Sequence, residues 1–286
     1  MFEGRDLQIS PLSGGHMNGV FLVGVGDERF AVRVPGQASE ILEMDRAAER
    51  YNAGAAAETG VSPRILDYLD DANVMVLEFI EGAIPTIEDV QSLEQVQRMV
   101  TSIRRLHDGR RYINDFDMLA RARHWLQACQ QRGFPVPDGA LARLGQVEEI
   151  ARVLRSGTEP TVPCHNDLAP YNFIDDGQQL WIIDFEFSGN NDPCYDLGGI
   201  ASEAELDDAL TSALCASYFG ETTPRLLARM KLHAAIANFG WMLFCSIQAE
   251  LIPDPGFWEG ATAYWTTVLE VLDSKELPQL MQDAAD

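Results

Sequence analysis

Apolar positions follow two rhythms along the chain. Over roughly the first 80 residues they form short runs: 20–25 and 29–34 are separated by Gly26-Asp27-Glu28, and 64–68 and 74–79 by Asp70-Asp71-Ala72-Asn73. Runs of that length around turn residues predict two β-hairpins. Between the hairpins Ser39 can cap a helix reaching about Glu58, with Thr59-Gly60 as its end and Pro63 just beyond. Glu81-Gly82-Ala83-Ile84-Pro85 then breaks the pattern, which divides the chain into residues 1–81 and 82–286. In the second part the apolar spacing is helical, over about 88–108, 115–132, 139–156, 205–219, 223–251 and 256–273. Two short strands, 172–174 and 180–185, interrupt the helices around Asp175-Asp176-Gly177. The prediction is an α+β chain with a small antiparallel β lobe, a larger mainly helical lobe and a ligand-sized cleft between them.

Composition and charge narrow the partners. The 286 residues are 46% hydrophobic and 23% charged, the balance of a globular protein with a sizeable core. Acidic residues number 44 against 21 basic, a net charge of −23. That excludes nucleic acid, whose phosphate backbone needs concentrated positive charge. The five cysteines, at 129, 164, 194, 215 and 245, show no CxxC spacing and no disulfide framework, so a reducing cytoplasm is the expected home. The opening MFEGRDLQIS lacks the basic and apolar segments of a signal peptide. The most apolar stretch, 232–247, is too short to cross a bilayer and carries His233 and Asn238, so it reads as a buried helix without membrane insertion. No heptad repeat announces a coiled coil, and a homodimer stays open.

The sharpest chemical signal is Cys164-His165-Asn166-Asp167-Leu168-Ala169-Pro170-Tyr171-Asn172, followed twelve residues later by Asp184. Asp167 and Asn172 lie on a loop entering one strand of the 172–185 hairpin, and Asp184 leaves the other. The hairpin therefore gathers two carboxylates and an amide oxygen at one end. Few, partly uncharged oxygen ligands suit Mg²⁺, which completes its shell from water and phosphates. Phosphoryl transfer needs little more than a phosphate cradle, a cation, metal ligands and a carboxylate facing the hydroxyl. Gly14, Gly15 and Gly19 can bring backbone N–H groups to phosphate oxygens. Arg33, on a strand, can be the cation, and Glu49 or Glu43 on the following segment can pair with it.

These residues together resemble the choline/ethanolamine kinase family, in the aminoglycoside-phosphotransferase-like branch of the protein-kinase-like fold. The resemblance rests on HNDLAPYNF (165–173) and IDFEFSGNNDPCYDLGG (183–199), supported by SGGHMN (13–18), FAVRVPG (30–36) and RAAERYNAGAAAETGVSP (46–63). It implies ATP and Mg²⁺ as cofactors, with Asp167 as catalytic base and Asn172 and Asp184 as metal ligands. It also implies that Ser13, Gly14, Gly15 and Asn18 of the glycine loop, Arg33 with Glu49 rather than Glu43, and the backbone from Glu78 to Ile80 hold the nucleotide. His165 and Asp196 become supports of the catalytic loop.

Glu186, Trp241 and Phe244 fall to the acceptor. The last two match a segment that carries two tryptophans one helical turn apart, with Phe244 replacing the second. Aromatic faces and carboxylates are how a quaternary ammonium is recognised, and the acidic chain favours a small cationic alcohol. Phe239, Trp258 and Trp265 read as core, and Tyr264 is out of the usual register. The expected activity is a small-molecule kinase acting on choline or ethanolamine. The alternatives are an aminoglycoside or thiamine-like phosphotransferase and, from another class, a non-catalytic nucleotide-binding protein.

Overall fold

A computed structural model describes residues 2, 4–12, 18–36, 41–156 and 160–285. Ser13, Gly14 and Gly15 of the glycine loop and the cap at Ser39 lie outside the described residues. The alternating first part of the chain folds into five antiparallel strands: β1 (Gln8–Pro11), β2 (Asn18–Val25), β3 (Glu28–Pro35), β4 (Ile65–Leu69) and β5 (Val74–Glu78), in the order β1-β2-β3-β5-β4. Gly26, at φ 61°, supplies the left-handed residue of the β2–β3 turn, so that Val25 faces Glu28. Val23, Val25, Phe30 and Val76 bury a small core on the sheet. Arg33 lies opposite Met75 in the β3–β5 register.

The helix between the hairpins starts later than its sequence predicts. α1 (Arg46–Glu58) is capped by Asp45, whose side chain accepts the Ala48 N–H at 2.9 Å. Upstream, Glu43 has φ 52° and Leu42 is 0% exposed, packed in the core around Trp125 of the other lobe. Burial of Leu42 across the lobes outweighs the local helical pattern. Asn52 binds α1 to the helical lobe by donating to Asn114 Oδ1 at 2.8 Å and to the Ser188 carbonyl at 3.1 Å.

The second lobe holds α2 (Ile87–Val90), α3 (Leu93–His107), α4 (Met118–Arg132), α5 (Ala140–Ser156), α6 (Pro193–Glu203), α7 (Asp208–Phe219), α8 (Pro224–Leu251), α9 (Pro255–Leu272) and α10 (Leu277–Ala285). The single helix predicted over 88–108 is two, because Ser92 caps α3 and the Gln91 side chain leaves to bind the carbonyls of Ala204 and Glu205. The first hairpin strand is shifted by one residue, β7 (Phe173–Asp175), and the second is shorter than predicted, β8 (Leu180–Ile182). A further pair, β6 (Val162–Cys164) and β9 (Gly189–Asn191), together with β1, α6 and α10, was not read from the pattern.

α8 is apolar on nearly all sides and forms the centre of the lobe, flanked by α4, α5, α6 and α9. Gly198 lets α6 approach it closely: a Cβ there would lie 2.1 Å from the Met230 carbonyl oxygen. This contact fixes α6, and through it the loop that follows β6. No helix among the described residues is long and apolar enough to cross a membrane.

Candidate active site

The loop between β6 and β7 is held by side chains from distant elements. Asp196, in the first turn of α6, accepts the His165 N–H at 2.8 Å and the Asn166 N–H at 2.7 Å through its two oxygens. His107, at the end of α3, donates Nε2 to the same carboxylate at 2.9 Å and meets the Tyr218 hydroxyl through Nδ1 at 2.8 Å. Asn166, at φ 65°, donates to the carbonyls of Phe187 and Gly189 at 3.1 Å. His165 Nε2 donates to the Ile183 carbonyl at 2.8 Å, tying the loop to the strand end that leads to Asp184. Burial pushes the His165 imidazole below its ordinary pKa, which favours the neutral ring with its proton on Nε2.

Asp167, Asn172 and Asp184 meet at the mouth of the cleft. Asn172 donates Nδ2 to the Asp167 carbonyl at 2.7 Å and to its carboxylate at 3.3 Å. With the amide nitrogen engaged, the amide oxygen is the atom left to ligate. Asp184 follows β8 at φ 66°, and the predicted strand to 185 stops short of it for that reason. Its buried Oδ1 makes no hydrogen bond and lies 3.2 Å from Arg33 Nη2.

Carboxylate oxygens of Asp184, Glu49 and Glu186 lie within 4.8 Å of one another, and the cation they share is the Arg33 guanidinium. The Asn172 amide oxygen and the Asp184 carboxylate, whose Oδ1 makes no hydrogen bond, form an oxygen-only donor pair that fits a hard divalent ion such as Mg²⁺. Burial and the neighbouring charges of Asp184, Glu203 and Glu186 raise the Asp167 carboxyl well above the usual range. A divalent cation alongside would draw it back down.

Behind these oxygens lies a buried ion-pair ring. Glu49, rather than Glu43, takes Arg33, through Oε1 and Nη1. Glu43 instead approaches His124 at 3.4 Å. Glu186 Oε2 receives Arg33 Nη2 at 2.8 Å, Asn18 Nδ2 at 3.0 Å and Arg46 Nη1 at 3.2 Å. Glu186 thus borders the cavity described next but turns its charge toward the cations of the β lobe. Glu78 pairs with Arg64 through its side chain, and its N–H donates to the Arg64 carbonyl at 2.9 Å. Ile80 follows β5, half-buried.

A cavity of about 310 Å³ joins this acidic end to an aromatic one. Asp167, Asn172, Asp184 and Glu186 line one side, and Phe187, Trp241, Phe244, Phe257, Tyr264 and Asp254 the other. Trp241 and Phe244 lie one turn apart on α8, their rings nearly perpendicular at 5.7 Å. Phe187 backs Trp241 edge-to-face at 4.9 Å. Beside the cavity Glu203 accepts from the Tyr264 hydroxyl, and burial pushes its carboxyl up to about 7.

Trp265 and Phe239 pack together inside the helical lobe. Trp258 does not belong to the core: it is 38% exposed on the first turn of α9. Sequence reasoning missed Arg46, Glu203, Phe257 and Asp254. The i, i+3 spacing of Arg46 and Glu49 was the one local signal available for any of them.

A β lobe over a helical lobe, with paired carboxylates and buried arginines where they meet, is the architecture of a protein-kinase-like phosphotransferase that passes phosphate to an alcohol. Comparison with known proteins agrees: residues 8–233 match the phosphotransferase enzyme family, and the chain belongs to it. Protein LicA of Haemophilus influenzae is 28% identical over 256 residues, covering 83% of this chain and 72% of that protein. A choline/ethanolamine kinase family protein from Mesorhizobium loti superposes with a TM-score of 0.86 at 27% identity, over 100% of this chain and 95% of that one. The choline kinase LicA of Streptococcus pneumoniae shares the fold with a TM-score of 0.79 at 18% identity, over 93% and 94% of the two chains.

Proposed function

We propose that the chain is an ATP- and Mg²⁺-dependent kinase for a small cationic alcohol, choline or ethanolamine foremost. The observation that carries this reading is the shared cavity, with Asp167, Asn172 and Asp184 at one end and Trp241, Phe244 and Tyr264 at the other. Its volume, about 310 Å³, is at the low end for ligand sites and suits an acceptor of a few heavy atoms better than an aminoglycoside. Trp241 offers a ring face to an ammonium group, and Asp254 a compensating charge. The kinship with choline kinases supports the same acceptor class.

In this reading Asp167 orients the acceptor hydroxyl and takes its proton as the oxygen attacks the γ-phosphorus. Asn172 and Asp184 would hold Mg²⁺, which neutralises charge on the phosphates. Arg33, steadied by Glu49, faces the phosphates from the β lobe. The adenine lies along Glu78–Ile80, where the Glu78 N–H is already engaged and the remaining backbone groups do the binding. Five buried cysteines, all free thiols, accord with a cytoplasmic setting.

The test is ADP release from MgATP with choline, ethanolamine, thiamine and aminoglycosides offered separately. Turnover confined to choline or ethanolamine supports the proposal. Turnover confined to aminoglycosides would replace the acceptor and keep the chemistry, and ATP binding without any phosphorylated product would remove the catalytic claim.

A further inference from the structure

Arg46 opens the 46–63 segment with no role assigned to it from the sequence, yet it closes the ion-pair ring. Its Nη1 donates to Glu49 Oε2 at 2.8 Å and to Glu186 Oε2 at 3.2 Å, while Arg33 binds the same two glutamates. All four side chains are buried: Arg33 is 8% exposed, Glu49 2%, Arg46 11% and Glu186 4%. With Asp184 3.2 Å from Arg33, two cations face three carboxylates. Without Arg46, Arg33 would stand alone among Glu49, Glu186 and the nearby Asp184.

A nucleotide phosphate that recruits Arg33 Nη2 competes with Glu186 for it, and a buried carboxylate that loses its cation is strongly disfavoured. Arg46 is the group already in place to keep Glu186 neutralised. Its position is fixed from the acceptor side, because Leu42 is buried in the core that also holds Phe187 and Trp241, and the Leu42 carbonyl accepts Arg121 Nη1 at 3.4 Å. Asp45 then starts α1 immediately before it.

We propose that Arg46 is a positioning residue for the nucleotide: it holds Glu186 and Glu49 while Arg33 turns to the phosphates. This rests on the kinase reading, and nucleotide binding tests the two separately. Calorimetry of the full chain with Mg²⁺ and a non-hydrolysable ATP analogue is the measurement. Arg46→Gln removes the charge and weakens binding by about tenfold, the loss of one charge-assisted contact. Arg46→Lys keeps the charge at the same helix position and stays within about threefold of the parent chain, since an ammonium replaces the fork only as a point charge. Adding Glu186→Gln to Arg46→Gln removes the stranded carboxylate and recovers most of the lost affinity.

A residue that merely starts α1 would not be rescued by a change at Glu186. The inference is overturned if Arg46→Gln binds like the parent chain, if Arg46→Lys is as weak as Arg46→Gln, or if the double variant gains nothing. A parent chain that ignores the analogue overturns the kinase reading, and this inference with it.

Discussion

The two ends of the cavity are built in opposite ways. At the end proposed for the phosphate most charged groups are clamped: Arg33 and Arg46 between Glu49 and Glu186, the loop after β6 on Asp196, and Asp196 on His107. At the end proposed for the acceptor the walls are aromatic faces from α8 and α9, with Asp254 on that side and Glu203 near enough to raise the Asp167 carboxyl. Chemistry common to phosphotransferases needs fixed charges, because electrostatic stabilisation works only when its dipoles are already in place. Recognition of an ammonium needs exposed ring faces, which can change one residue at a time without disturbing the clamp. The contrast suggests that catalysis and acceptor choice can be altered independently.

The largest expected effect lies at the phosphate end. Asp167→Ala removes the group facing the acceptor hydroxyl and should lower turnover by about 10³-fold while MgATP binding persists, as separate rate and calorimetric measurements would show. Near-parental turnover would erase the distinction between the two ends.

Next comes the acceptor wall. Trp241→Ala should raise the KM for a quaternary ammonium alcohol by about tenfold or more, with the KM for ATP changed by less than about threefold. Phe244→Trp, which enlarges the neighbouring ring face, should lower the acceptor KM by a few-fold. Equal movement of both substrates' KM values would mean that the ends are coupled.

The smallest effect concerns stability. Burial raises the Glu203 carboxyl to about 7 in the folded chain, above an unfolded value near 4.5. Between those values the folded state holds a proton that the unfolded state has released, so stability falls as pH rises through the interval and levels off above it. Glu203→Gln stays neutral and lacks that fall. Its melting temperature relative to the parent chain should therefore rise by a few degrees from pH 5 to pH 8. An unchanged gap would place the carboxyl in an ordinary solvated setting.

The same contrast explains what could be read from the sequence. Asp167, Asn172 and Asp184 stood out because one hairpin brings them together over a short span, whereas Arg33 was legible as a strand cation and the choice of Glu49 over Glu43 came from the family resemblance. The bilobal α+β fold followed from the change of rhythm near residue 81. The acceptor wall was only half legible: Trp241 and Phe244 share a helix, but Phe257, Tyr264 and Glu203 reach it through the packing of α6, α8 and α9. Arg46 looked like any cation within a helix predicted from Ser39 until the distant Glu186 came beside it. The helical pattern from Ser39 misled because Leu42 is buried in the opposite lobe, a fact invisible to local periodicity. Trp258 misled in the other direction, as a large aromatic side chain left at the surface.

The central claim, that one cleft joins a nucleotide's terminal phosphate to a small cationic alcohol through divalent-assisted transfer, is tested most directly by ³¹P NMR of the products formed from ATP and choline. The account predicts a phosphate monoester of the alcohol appearing in step with ADP, abolished by chelating the divalent ion and by Asp167→Ala. ADP accompanied only by inorganic phosphate, or ester formation that survives either treatment, would contradict it.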